Sequence, residues 1–334
     1  MAPPLLDPAL VNREKLEKYL ATVLGEDRSL SEPEFPQAGV SNVVAFMKWG
    51  NRELVVRRPP PGPIPPGAND VLREYQILRA LQGKARVPTV VLSCSDTSVI
   101  GAPFFIMDRL FGFVPARERP SWADQTEARR HIAFEFIDAL AELHSVDYKA
   151  VGLENLGRPE GFVERQVRRR FEALQGIMER CRYLPEMVTL RDWLAKHLPP
   201  QNPDFSIVHG DYHVGNVMYA SEPPPRLIAM FDWEIATVGD PLTDVGWALT
   251  TPGNNLMWNN PGFPTEEELL TRYEEKRGCK VEHLTFHKVL ALWRLAIAME
   301  GNYARFVAQN DPRQETTKNT APDLARRAMA LIGS

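Results

Sequence analysis

The hydrophobic pattern of this chain changes period once, and that change excludes both a single sheet and a single bundle. Between Ser41 and Met107 the apolar residues fall mainly in short strand-like runs around one helix, whereas from Ser121 onward they recur mainly every three or four positions. Ser41 to Met47 and Glu53 to Arg57 read as two strands joined by the turn Trp49-Gly50-Asn51. The loop from Pro59 to Gly67 is too dense in Pro and Gly to be helix or central strand. Asn69 or Asp70 then caps a helix to about Leu81, and strand character returns at Thr89 to Cys94 and Phe104 to Met107. Ahead of these, Asp7-Pro8 opens an amphipathic helix through Leu16, Leu20 and Leu24, closed by Gly25. In the second part, Ala128 to His144, Phe162 to Cys181 and the stretches from Glu266 read as helices. One strand island interrupts them, at Ser206 to Val208, Asn216 to Tyr219 and Leu227 to Phe231. The expected architecture is α+β: a small β-rich N-lobe, residues 1–109, and a larger, mainly helical C-lobe, residues 110–334, linked near Asp108 to Gly112.

Composition narrows the class. A hydrophobic fraction of 44% and a charged fraction of 25% are ordinary for a soluble globular protein. A net charge of −4 lacks the basic excess of a nucleic-acid binder. Cys94, Cys181 and Cys279 are scattered and odd in number, which predicts reduced thiols. The opening Met1-Ala2-Pro3-Pro4 has no signal-peptide pattern, and the most apolar stretch, Val289 to Met299, is interrupted by Arg294. A cytoplasmic protein with no membrane partner is expected. No sequence feature sets an oligomeric state.

The strand island carries the chemistry. Val208-His209-Gly210-Asp211-Tyr212-His213-Val214-Gly215-Asn216 has the spacing H-x-D-x-x-x-x-N of a kinase catalytic loop. There the Asp meets the acceptor hydroxyl and the Asn holds Mg²⁺. Phe231-Asp232-Trp233-Glu234 follows, an apolar strand ending in a carboxylate, where such a site places its second metal ligand. A hairpin between Asn216 and Asp232 would bring both side chains to one end of two strands, giving Mg²⁺ the hard oxygen ligands it prefers. Two other readings stay open. Asp211 and Asp232 could be ordinary turn and cap residues, or His209, Asp211 and His213 could bind Zn²⁺ in a hydrolase, which leaves Asn216 and Asp232 without a role. For His209 the expected part is structural, fixing the loop through backbone hydrogen bonds.

The N-lobe offers supporting pieces. Gly39-Val40-Ser41-Asn42 precedes the first strand and could let backbone N–H groups approach phosphates, although it is neither a Walker A nor a G-x-G-x-x-G loop. Glu74 shares a helix face with Val71, Ile77, Leu78 and Leu81. A carboxylate in an apolar stripe needs a cation, and Arg57 or Arg58 at the end of the preceding strand can supply it. A surface salt bridge near the helix start is the plainer alternative.

These residues together resemble the aminoglycoside-phosphotransferase-like kinases. The segments that carry the resemblance are Gly39 to Asn42, Leu54-Val55-Val56-Arg57, Arg73-Glu74-Tyr75, Pro103 to Met107, His209 to Asn216, Phe231 to Glu234 and Gly239-Asp240-Pro241-Leu242-Thr243-Asp244. The proline-rich Arg57-Arg58-Pro59-Pro60-Pro61-Gly62 stretch looks most like the branch also found fused to acyl-CoA dehydrogenases. The resemblance implies a bilobal protein-kinase-like fold. ATP would lie against Asp108, Arg109 and Leu110, with Gly39, Ser41, Asn42, Arg57 and Glu74 serving its phosphates. Asp211 would be the catalytic base, Asn216 and Asp232 would hold Mg²⁺, and Asp240 would brace the catalytic loop. Arg57 stands where protein kinases carry Lys, which keeps the charge but changes the geometry. His213 stands where many carry a Lys two residues after the catalytic Asp.

The acceptor is a small molecule, and a hydroxyacyl-CoA is as consistent with these residues as an amino sugar. A polycationic aminoglycoside would need an acid-lined site, whereas Glu266, Glu267, Glu268, Glu274 and Glu275 read as solvent-facing. Arg165, Arg168, Arg169 and Arg170 could grip phosphates but read more simply as a solvated helix face paired with Glu164 and Glu172. Trp233, Trp247, Trp258 and Trp293 read as core, and His283 and His287 as exposed side chains. A nucleotide-binding pseudokinase with a regulatory role is the competing class.

Overall fold

The computed structural model describes residues 7–36, 42–63, 69–117, 119–251 and 260–333. These form two compact units. The first holds the described residues up to Gly112 together with Ile228–Glu234, and the second holds Phe113–Leu227 and the described residues from Ile235 onward.

The first unit begins with a 3-10 turn, Pro8–Leu10, capped by Asp7, and then α1 (Arg13–Leu24), capped by Asn12 and closed by Gly25 at φ 68°. Asp7 was expected to open the helix itself. Instead Asp7 caps only the short turn, and Asn12, with its side chain accepting the Lys15 N–H, starts α1. An antiparallel sheet of order β1-β2-β4-β3 follows, built from β1 (Val43–Trp49), β2 (Arg52–Arg58), β3 (Val90–Cys94) and β4 (Phe104–Asp108). Gly50 (φ 57°) and Asn51 make the hairpin between β1 and β2, pairing Trp49 with Arg52. Between β2 and β3 lies α2 (Val71–Leu81), with Asp70 accepting the Arg73 N–H. The strands alternate inward and outward. Ala45, Met47, Trp49, Leu54, Val56, Phe104 and Ile106 join Leu16 and Leu20 of α1 in one apolar cluster.

The second unit is mainly helical. Its helices are α4 (Thr126–His144), α5 (Phe162–Met178), α6 (Pro185–Lys196), α7 (Leu242–Thr250), α8 (Glu266–Arg277), α9 (Leu284–Ala308), α10 (Arg313–Thr317) and α11 (Thr320–Leu331); the one-turn α3 (Thr97–Ile100) belongs to the first unit. Four short strands punctuate it: β5 (Ser206–Val208), β6 (Val217–Tyr219), β7 (Leu227–Met230), which passes into the first unit at Ile228, and β8 (Thr237–Gly239). β5 pairs antiparallel with β8, Ile207 opposite Val238, and so fixes the start of the His209 to Asn216 loop. One apolar cluster gathers Trp293 with Leu174, Met187, Leu190, Leu194, Leu290 and Leu324. Every residue of α7 is buried. It can lie that deep because Gly246 lets the α9 backbone come close: a Cβ there would sit 2.5 Å from the His287 carbonyl. The three cysteines are unpaired, and among the described residues no helix is long and apolar enough to cross a membrane.

Candidate functional site

The residues singled out by the sequence fall into two clusters, one in each unit. In the first unit, Arg57 lies at the centre. Its Nε is 2.7 Å from Glu74 Oε2, and its Nη2 donates to Asp232 Oδ1 at 3.2 Å. The pleat of β2 decides which arginine does this. Arg58 points to the opposite face and spends its donors on the carbonyls of Leu10, Pro59 and Ile100. Glu74 is 3% exposed, so burial outweighs the attraction of Arg57 and the N–H of Trp233, and its carboxyl is pushed up to about 7. Asp232 follows directly on the apolar run and has φ 65°, a left-handed conformation that Asp tolerates better than most residues. Arg73 donates to the Glu234 carbonyl at 3.1 Å, so the segment carrying Asp232 is held from α2 as well as from β2.

Asn42 is buried at 4% exposure, its Oδ1 accepting from Asn69 Nδ2, while its own Nδ2 has no acceptor among the described residues. Gly39 and Ser41 lie outside the described residues, as does Trp258. At the end of β4, Asp108 takes the Arg52 guanidinium at 2.7 Å, and Arg109 stacks over Phe46 at 4.0 Å. The N–H groups of Asp108 and Arg109 are already bonded, to the carbonyls of Thr89 and Glu53. Leu110 is half-buried.

In the second unit the His209 to Asn216 loop is tied to itself. Asn216 Nδ2 donates to the Asp211 carbonyl at 3.0 Å and to Asp211 Oδ2 at 3.1 Å. His213 Nε2 lies 3.6 Å from the same oxygen, while its Nδ1 accepts the Gly215 N–H. Tyr212 anchors the loop from below, stacked on Phe136 at 4.3 Å and donating to the Phe136 carbonyl. His209 is fully buried and its Nδ1 accepts the Asp211 N–H, the structural part expected of it. Among the described residues, no three His, Cys, Asp or Glu side chains gather to hold a metal.

Asp240 was expected to brace this loop, and here the structure differs. Asp240 Oδ1 accepts from Asn202 and from the Leu242 N–H, which closes its own turn. The loop is held instead by Asp244, one helical turn further along. Asp244 Oδ2 accepts the His209 N–H at 2.6 Å and Oδ1 accepts the Gly210 N–H at 2.8 Å. Behind Asp244 stands His144, 3.3 Å away, whose other ring nitrogen meets Tyr273 Oη at 2.7 Å. Burial alone would raise the Asp244 pKa, but His144, His209 and the Gly210 N–H together hold it below the ordinary carboxylate range. The sequence carried the signal: a carboxylate within Leu242-Thr243-Asp244-Val245-Gly246-Trp247 is as exposed to the cost of burial as Glu74 in its own stripe. His287, expected to be exposed, is buried against Gly246, and desolvation lowers its pKa to about 4.

The pattern of the phosphotransferase enzyme family, APH, matches residues 33–280. Acyl-CoA dehydrogenase family member 11 of Gallus gallus is 31% identical over 95% of this chain, which spans 43% of that protein. A crystal structure from Ralstonia eutropha, provisionally described as an aminoglycoside phosphotransferase, superposes with a TM-score of 0.77 at 30% identity, covering 95% of each chain. The GDP complex of aminoglycoside 2′-phosphotransferase-IIIa shares the fold, with a TM-score of 0.64 at 16% identity over 96% of this chain and 99% of that one.

Proposed function

The chain belongs to the phosphotransferase enzyme family, and from that premise we propose that it transfers the γ-phosphate of ATP, with Mg²⁺, to a hydroxyl of a small metabolite. The observation that carries this reading is the state of Asp211. Asn216 occupies one carboxylate oxygen, and Oδ1 has no hydrogen bond among the described residues, so it is free to accept a hydroxyl proton. Asn216 donates with its nitrogen, which leaves its Oδ1 as a hard ligand, and Asp232 keeps one oxygen outside its contact with Arg57. These donors suit Mg²⁺, which when bound would neutralise charge on the phosphate oxygens. We assign Arg57, held by Glu74, to the nucleotide phosphates. We assign the adenine edge to Leu110, because the other two N–H groups of that link are engaged. In-line transfer then depends on positioning and on proton acceptance by Asp211.

The resemblance to acyl-CoA dehydrogenase family members makes a hydroxyacyl-CoA the first acceptor to screen, ahead of amino sugars. Calorimetric titration of ATP with Mg²⁺ and then with EDTA tests the nucleotide reading, with binding expected only when Mg²⁺ is present. Turnover of an accepted substrate should vanish in Asp211→Ala, and turnover preserved in that variant would refute the assignment of the base.

A further inference from the structure

Among the second unit's guanidiniums that make no ion pair with any described carboxylate are Arg170 on α5 and Arg294 on α9. Arg294 is 7% exposed. Its Nη2 donates to the Gly210 carbonyl at 3.3 Å, next to Asp211 in the chain, while its buried Nε has no acceptor among the described residues. Its plane lies over Trp247, 5.1 Å from the ring centre, and the buried Nε1 of Trp247 also has no acceptor. Arg170 is partly buried, and has no hydrogen-bond or ion-pair partner among the described residues. Its neighbours Arg168 and Arg169 are exposed, whereas Arg170 is partly withdrawn from solvent. The helix that carries Arg170 packs against α9, and burial, with the charge of Arg170 next, lowers the Arg294 pKa to about 10.

A buried donor without an acceptor is destabilising, and adjacent cations add to the cost. Elsewhere this unit answers such costs with carboxylates. Arg272 grips Asp138 with two bonds of 2.6 and 2.7 Å, and Arg182 grips Glu300 with bonds of 2.8 and 2.7 Å. Arg294 and Trp247 bring unpaired donors beside the Gly210 carbonyl, and Arg170 lies on the helix packed against α9. Of the two acidic groups whose charge reaches Arg294, Asp244 already holds two loop N–H groups, and Asp211 is the residue assigned to the reaction.

We propose that Arg170 and Arg294, with Trp247 Nε1, form a subsite for an oxyanion carried by the acceptor, so that this enzyme phosphorylates an anionic hydroxyl compound rather than a polyamine. The inference rests on the reading of Asp211 as the base. Arginine suits the role because its planar donors meet a carboxylate or a phosphate in pairs. The acceptor's anion docks on α5 and α9, and its hydroxyl is presented to the neighbouring Asp211.

The test is calorimetric titration of the full chain with sulfate and, separately, with acetate at constant ionic strength, with saturating Mg·ATP so that the nucleotide's own phosphate contacts are occupied. Saturable binding of at least one anion is expected, weakened about tenfold or more in Arg170→Ala, the loss of one charge-assisted contact. Tighter binding of sulfate assigns the subsite to a phosphate group, and tighter binding of acetate to a carboxylate. Arg170 is the residue to change because it is only partly buried, whereas removal of Arg294 also strips the Gly210 carbonyl. The subsite is overturned if neither anion binds saturably, or if Arg170→Ala binds as tightly as the parent. The Mg·ATP titration reads the nucleotide assignment separately. Should ATP fail to bind, the anion titration is run without it and still decides the subsite.

Discussion

Asp244→Asn removes one charge and almost no volume, and its cost at the loop can be worked from the two backbone bonds it disturbs, apart from the contact with His144. The carboxylate accepts the N–H of His209 at 2.6 Å and of Gly210 at 2.8 Å, one on each oxygen. An amide offers one oxygen and turns an NH₂ toward the other N–H, so one buried donor loses its acceptor at about 1–3 kcal/mol. The surviving bond loses its charge assistance, about another 1 kcal/mol. The sum, about 2–4 kcal/mol, is a large share of the roughly 5–15 kcal/mol that holds a domain folded. Because Asp244 has a depressed pKa in the folded chain, its contribution is complete above the ordinary carboxylate range and is lost as pH falls through the folded value. The difference between parent and variant should therefore be constant at neutral pH and shrink in acid. Hydrogen exchange of the His209 and Gly210 amides, with urea denaturation alongside, measures both effects. Unchanged protection of those amides, or a loss below about 0.5 kcal/mol, would refute the account of how the loop is held.

Two further perturbations separate burial from charge and backbone from side chain. Glu74, pushed up to about 7, binds its proton more tightly when folded, so stability should fall as pH rises from about 4.5 to about 7, by about 3 kcal/mol, and level off above. Glu74→Gln should abolish that slope in denaturation curves taken across the window, and an identical slope in the variant would assign the effect to other groups. Gly246→Ala places a methyl 2.5 Å from the His287 backbone, which cannot yield like a side chain, so overpacking of about 1–3 kcal/mol should exceed the roughly 1 kcal/mol gained in helix propensity. Gly301→Ala is the control: its nearest neighbour is the flexible Ile177 Cδ1 at 3.4 Å, and it should be neutral or stabilising in the same thermal melts.

Local pattern made much of the fold legible. The hairpin at Gly50 and Asn51, the Asp70 cap and the four strands of the first unit follow from turn residues and from apolar runs of strand length. The need of Glu74 for a cation was also legible, because a carboxylate in an apolar stripe states its own problem. Which arginine answered it depended on the pleat, with Arg57 facing α2 and Arg58 facing the carbonyls of Leu10 and Ile100. What local pattern could not supply is long-range. Asp240 and Asp244 lie in one turn-and-helix start, and only the placement of the His209 loop shows that Asp244 carries it. His287 sits at a spacing that suits solvent, yet Gly246 on another helix draws the chain over it. Arg170 is indistinguishable in sequence from Arg168 and Arg169, and only the packing of α5 against α9 turns it inward.

The small unit is assembled from two stretches of chain, and this bears on how the protein is made. Ile228–Glu234 is fastened into it by the Met230 N–H on the Arg86 carbonyl at 2.8 Å, by Arg73 on Glu234, and by Arg57 on Asp232. On the ribosome, the sheet from Val43 to Asp108 can form early, but its last segment arrives only after everything from Phe113 through Leu227 has been translated. Until then Glu74 lacks the Trp233 amide and Arg57 lacks Asp232. The nascent small unit is therefore incomplete beside Arg57 and Glu74, and a fragment ending at Gly112 would lack Asp232, Trp233 and Glu234.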